Sequence, residues 1–284
     1  MRLSVGILAL AMALAGCAGG RPSVAPTATP APAGQPLAVA GYDGRIEPIA
    51  APIDLVYAAA RFSSTTTIGV EGSRGSAPRS NSLVAYLDGE LVAEGDRIRA
   101  GIVTDRIEID GAPSRGNGPL LAQDVLLDRK GRLIELASRW PSHDATGEPL
   151  SDRYRALEQR WRERLPILAA EPVVSGAVAY EDTGLLVPMQ QMLQNRAFEL
   201  RPVEPLRAVA VGLTDCAGRR CVIARHEGEA ELVTQRGMLH VTAGGYVRLD
   251  VTTGLIVDEL ATVTLDSPGG SRLVMTIRTT SKVL

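Results

Sequence analysis

Residues 239–251 read LHVTAGGYVRLDV, and on both sides of the central Gly-Gly the odd positions are apolar. Leu239, Val241 and Ala243 alternate with His240 and Thr242, and Val247, Leu249 and Val251 alternate with Arg248 and Asp250. Strict alternation describes a strand with one buried and one solvated face, which favours antiparallel pairing. Leu273, Met275 and Ile277 repeat the pattern beside Arg272, Thr276 and Arg278.

Moving outward, turn chemistry separates the alternating runs. Asp88-Gly89, Arg129-Lys130-Gly131, Thr252-Thr253-Gly254 and Pro268-Gly269-Gly270 each stand between two of them. Glycine supplies the positive φ that tight hairpins demand. Strands are expected near 62–70, 82–87, 90–95, 97–110, 121–128 and 132–139, then 205–214, 221–234, 238–251, 255–266 and 271–283.

Between these sets lies helical periodicity. Ser151 suits an N-cap, Tyr154, Leu157, Trp161 and Leu165 share one face, and Pro166 ends the run. A second helix is expected over Pro188 to Ala197, with Met189, Met192 and Leu193 facing inward. The expected fold is mainly β: curved antiparallel meander sheets with one or two packing helices.

The two strand sets echo each other. Leu127-Asp128, Gly131, Leu133-Ile134 and Glu135-Leu136-Ala137 are matched by Leu249-Asp250, Gly254, Leu255-Ile256 and Glu259-Leu260-Ala261, with the second stretch two residues longer. A duplicated half-barrel explains this, with halves 39–150 and 200–284 joined by segment 151–199. Convergence of ordinary hairpins explains it equally well.

Composition narrows the function classes. The chain of 284 residues is 45% apolar and 22% charged with a formal charge of −2, so no bulk basic field points to nucleic acid. Arginine makes up 28 of the 30 basic residues and is spread along the whole chain. That fits codon usage better than a dedicated phosphate site. Aromatic residues are scarce, which weakens a glycan-binding role.

The N-terminus carries the most specific motif. Met1-Arg2 is a short positive region and Leu3 to Ala13 an apolar stretch too short to span a bilayer, followed by Leu14-Ala15-Gly16-Cys17. This segment resembles bacterial lipoprotein precursors, whose lipobox is Leu, two small residues and Cys. The resemblance implies removal of residues 1–16 and acylation of Cys17, including a palmitate-type chain. Several acyl chains on one residue give stable anchoring where one chain alone gives reversible binding. Ala18, in place of an inner-membrane retention Asp, implies the periplasmic face of the outer membrane.

Residues 17–38 form a tether, with prolines at 22, 26, 30, 32 and 36 that bias it to extended structure. Residues 39–284 form the periplasmic β-rich domain. A curved antiparallel sheet crossed by helices resembles, in architecture, the half-barrel carrier and receptor proteins of outer-membrane lipoprotein sorting.

Candidate chemistry outside the anchor is sparse. Cys216 and Cys221 bracket a four-residue hairpin loop, and the periplasm is oxidising, so a structural disulfide is expected. The alternatives are a redox dithiol, for which the spacing is wrong, and a zinc site with His226, which lacks a fourth ligand. A turn at Gly237 places His226 opposite Val247 and His240 opposite Val233. His143, His226 and His240 are then isolated surface or packed residues. Glu71-Gly72-Ser73-Arg74-Gly75 reads as a loop and lacks the first glycine of a nucleophile elbow. No cofactor or metal motif is present.

Three functions follow. The first is a non-enzymatic module that binds or scaffolds an envelope protein or lipid. The second is a carrier of a lipid or other hydrophobic ligand, lined by Met189, Met192 and Leu193. The third is a hydrolase whose site no motif advertises.

Overall fold

The computed structural model describes residues 37–74, 77–113, 121–137, 165–181, 198–234, 237–266 and 272–284. Among them lie thirteen strands: β1 (Ala60–Arg74), β2 (Ala77–Glu94), β3 (Arg97–Ile109), β4 (Ala112–Pro113), β5 (Leu121–Asp128), β6 (Leu133–Ala137), β7 (Ile167–Leu168), β8 (Val178–Glu181), β9 (Phe198–Cys216), β10 (Arg219–Thr234), β11 (Gly237–Asp250), β12 (Ile256–Asp266) and β13 (Arg272–Val283).

They form one open sheet in the order β6-β5-β3-β2-β1-β13-β12-β11-β10-β9-β8-β7, with β4 beside β3. Every pairing is antiparallel, as the alternation predicts. The first strand pairs with the last, Phe62 opposite Val283 and Gly72 opposite Leu273. Two meanders therefore spread outward from one central junction.

Curvature is legible in the core. Ile98 and Ala100 of β3 and Val125 of β5 share one apolar cluster with Ala208 of β9 and Val222 of β10, strands far away in the sheet order. Only a sheet that curls back on itself can bring those side chains together. Two segments fill the curl, one irregular and one that includes edge strand β7. One contributes Leu55 and Tyr57, and the other Leu165, Leu168 and Val173, all buried.

Backbone bonds pin this plug to the strand ends. Ile53 and Val173 exchange N–H···O bonds of 3.0 and 2.7 Å, Tyr57 N–H donates to Arg129 O at 2.8 Å, and Leu168 N–H donates to Lys130 O at 2.8 Å. The last of these ties edge strand β7 to the β5–β6 turn.

The hairpins β5–β6 and β11–β12 are built alike. Asp128 accepts the N–H groups of Lys130 and Arg132, and Asp250 those of Thr252 and Thr253, so each carboxylate holds its own turn. Both hairpins carry a bulge at one place: Leu126 faces Glu135 while Leu127 faces Leu133, and Arg248 faces Asp258 while Leu249 faces Ile256. The second loop is one residue longer, not two. Leu133 thus corresponds to Ile256, and the alignment of Leu133 with Leu255 is corrected by register. The orders β6-β5-β3-β2-β1 and β12-β11-β10-β9-β8 also run in the same sense, with β13 between them.

Several expectations change. Asp88-Gly89 is no turn: both lie inside β2, where Gly89 faces Phe62 and a Cβ would run into the Phe62 ring. The turn comes later, between Glu94 and Arg97. Glu71 to Arg74, expected in a loop, finish β1 opposite β2 and β13. The helices expected over 151–165 and 188–197 fall outside the described residues, except Leu165, which stands in a bend. Pro268-Gly269-Gly270 lies outside them as well.

Candidate functional site

Alternation sends one set of side chains from every strand into the concavity. Phe62, Ser64, Thr66, Ile68 and Val70 of β1 stand in register with Val283, Ser281, Thr279, Ile277 and Met275 of β13. Val222, Ala224, His226, Ala230 and Leu232 of β10 likewise match Leu249, Val247, Gly245, Val241 and Leu239 of β11. This inward face has three zones along the strands.

At the base, the plug fills the curl. Tyr57 is fully buried and its hydroxyl donates to Pro166 O at 2.9 Å. Burial pushes this phenol well above the ordinary tyrosine value, because a phenolate there would lose its hydration.

In the outer half, Ala230, Leu232, Val241, Ala261, Val263, Leu265, Met275 and Ile277 form a second buried cluster. Ile68, Val70, Leu206, Leu239, Ala243 and Leu273 pack against it. All of these residues belong to the sheet; among the described residues no plug segment contributes to the cluster. The eight cluster side chains are nonetheless buried, at 0–6% exposure.

Between the two clusters runs a polar belt. Ser281 Oγ donates to Ser64 Oγ at 3.1 Å, and the hydroxyls of Thr66 and Thr279 lie 3.2 Å apart. Glu259 stands opposite Thr279 on β13 and Val247 on β11. His226 Nε2 lies 3.0 Å from Glu259 Oε1, reaching diagonally across β11. The two side chains are 1% and 11% exposed, so both ionisable groups are held inside the sheet's curl. The Tyr180 ring meets His226 edge-on at 6.2 Å between centroids.

His226 does not face Val247 as a turn at Gly237 would require; it faces Gly245, and His240 faces Glu231. Thr234 faces Gly237, so Gly237 already belongs to β11 and the register shifts by two. Glycine at 245 leaves no side chain between His226 and the neighbouring strand. Sequence reading treats His226 as isolated because its partner lies two strands away, a relation set by register alone.

Cys216 and Cys221 form a disulfide at the β9–β10 hairpin, both buried, with Cα atoms 6.0 Å apart. The turn is tighter than the four-residue loop expected: Cys216 faces Arg219 and Cys221 faces Thr214, so the bridge runs diagonally. Oxidation removes both thiols from any zinc site with His226. His240 is exposed, 3.9 Å from Glu229. Cys17, His143, Met189, Met192 and Leu193 lie outside the described residues.

The outer face is tied down differently. Residues 37–47 lie across β9–β12, where Val39, Tyr42 and Ile46 pack with Ile223, Tyr246, Val211 and Leu260. Glu47 and Leu213 exchange backbone bonds of 2.8 and 2.7 Å. Arginines on this face are paired: Arg207 with Glu227 at 2.9 Å, Arg219 with Asp250 at 2.9 Å and Arg248 with Asp258 at 2.8 Å.

No protein-family model matches the chain, and no curated protein matches it. Among solved structures it is similar to a DUF1329 family protein from Desulfovibrio piger, with 11% identity and a TM-score of 0.16 over 77% of this chain and 84% of that one. A putative outer membrane lipoprotein-sorting protein domain from Vibrio parahaemolyticus gives 9% identity and a TM-score of 0.16 over 78% of this chain and 85% of that one. Likeness at that TM-score transfers neither activity nor ligand.

Proposed function

We propose that this chain is a non-enzymatic binding module of the bacterial cell envelope, and that it holds a hydrophobic ligand on the outer half of its concave face. One observation carries the reading. The base of the curl is filled by the plug around Leu55 and Tyr57, whereas the outer cluster around Val241, Val263 and Met275 is built from the sheet alone among the described residues. A sheet with one apolar face gains its stability by burying that face against a second layer. On this reading the ligand's acyl or other apolar part inserts against this face, whose cluster residues are already packed at 0–6% exposure.

The lipobox reading fits the same role. Acylated Cys17 and the proline-rich tether would hold the domain at the periplasmic face of the outer membrane, where hydrophobic cargo must be shielded from water. Met189, Met192 and Leu193 remain the proposed contributors to the lining from segment 182–197.

Native mass spectrometry with lipid extraction tests the reading, on secreted full chain carrying Cys17→Ser. A stoichiometric extractable lipid is the expected result. Folded protein that carries none, and takes up none when offered a lipid extract, overturns it in favour of a scaffold.

A further inference from the structure

We propose that residues 39–47 form a strap that opens as a unit while the curled sheet stays folded, with Tyr42 as its latch. Opening does not depend on the hydrophobic-ligand reading. Its consequence for reach rests on the acylation expected at Cys17.

The closed form is written into the sequence. Gly212 of β9 lies where a Cβ would run into Ile46 and Glu47 O, and Gly44 where one would run into the Tyr42 ring. Glycine within a strand weakens it, so Gly212 serves the segment that crosses it. Tyr42 makes the attachment. Thr214 Oγ1 gives its one proton to Arg45 O at 2.9 Å, so the Tyr42 hydroxyl donates to Thr214 Oγ1. The Tyr42 and Tyr246 rings meet edge-on at 5.2 Å between centroids, and the Arg248 guanidinium carbon lies 5.5 Å from the centre of the Tyr42 ring.

Three features make this attachment separable. Val39, Tyr42 and Ile46 belong to a small outer-face cluster distinct from the two clusters of the concavity. Polar groups beneath the strap complete one another without it: Tyr246 O–H donates to Asp258 Oδ2 at 3.0 Å, and Arg248 donates to Asp258 Oδ2 at 2.8 Å and to Asp215 O at 3.2 Å. Arg248 Nε is buried with no acceptor among the described residues, so closure leaves unsatisfied a donor that water would satisfy on opening. Past Pro48 the attachment changes in kind. Ile49 packs on the base cluster, and Ile53 is bonded to Val173 in the plug. A segment with few buried contacts, bounded by a well-packed one, is the kind that opens locally.

Opening moves the fixed end of the tether from residue 39 to residue 48. The nine residues of the strap add at most about 30 Å of extended chain. An anchored domain would then have two reaches, and the longer one would uncover Ile223, Tyr246 and Leu260.

Hydrogen exchange of the secreted full chain carrying Cys17→Ser tests this. Glu47 N–H and Leu213 N–H bond each other's carbonyls across the strap junction, whereas Tyr57 N–H bonds Arg129 O inside the plug. The first two amides should share one protection factor, at least about tenfold below that of Tyr57. Tyr42→Ala should lower the shared protection a further tenfold or so and keep Tyr57 the more protected by at least about tenfold. If that variant does not fold, Tyr42→Phe, which removes the donor to Thr214, takes its place with a loss of about threefold. A smaller gap in the parent chain, exchange of Tyr57 alongside the other two, or strap protection untouched by the variant overturns the inference.

Discussion

Gly131 and Gly254, the closing glycines of two similar hairpins, both lie against one plug, Gly131 at Tyr57 and Pro166 and Gly254 at Val56 and Leu168. A Cβ on Gly131 would stand 2.7 Å from the Tyr57 ring and 2.9 Å from Pro166 O; on Gly254 it would stand 2.7 Å from Val56 O. Both have positive φ, +89° and +70°. The plug therefore clamps both meanders through positions where only glycine fits.

Gly131→Ala and Gly254→Ala should each destabilise the fold by about 2–4 kcal/mol, combining backbone strain with displacement of the plug. Gly95→Ala is the control. Its φ is +66° with nothing within 4 Å of a Cβ, so only strain of about 1 kcal/mol applies. Urea midpoints of the three variants check the ordering, and equal losses would remove the clamp.

Tyr57→Phe should cost about 1–2 kcal/mol by leaving Pro166 O without its donor. It should also flatten the alkaline limb of stability. The unfolded phenol titrates near pH 10 while the buried one keeps its proton to higher pH, so the contribution is complete below about pH 10 and is lost as pH rises towards the folded value. Unfolding between pH 8 and 11, compared with the variant, reads this directly; identical limbs would show that Tyr57 ionises freely.

Asp250→Ala should cost about 3 kcal/mol and Asp128→Ala about 1–2 kcal/mol. Both carboxylates accept two turn amides, but Asp250 is wholly buried and also pairs with Arg219. Thermal unfolding of the two variants gives the difference.

Cys216 and Cys221 should resist alkylation until the chain is unfolded and reduced. Replacing both by alanine should cost about 2 kcal/mol, the loop entropy of so short a bridge. Mass spectrometry of alkylated protein and a denaturant titration check each part.

Cys17→Ser should move the protein from the detergent phase to the aqueous phase in phase partitioning, and remove the mass of the acyl chains. A variant that still partitions with detergent would place the anchor elsewhere.

Alternation in 239–251 and 273–277 was enough to establish antiparallel strands with one buried face, because a period of two is a local property of the backbone. The turns at Gly131 and Gly254 were legible for the same reason, and so was the Cys216–Cys221 bridge. Asp88-Gly89 misled because glycine serves two purposes. Here it clears space for Phe62, a residue of the neighbouring strand, and composition cannot distinguish that from a turn.

What only tertiary structure decided is which strands meet. Pairing of β1 with β13, the plug of Leu55 and Tyr57 between two hairpins, and the meeting of His226 with Glu259 all join residues that no local pattern relates. A two-residue change in the β10–β11 turn exchanges the partner of His226 from Val247 to Gly245. Strand identity is written in alternation, whereas register and closure are settled by the summed packing of the curled sheet, and the candidate site belongs to the second kind.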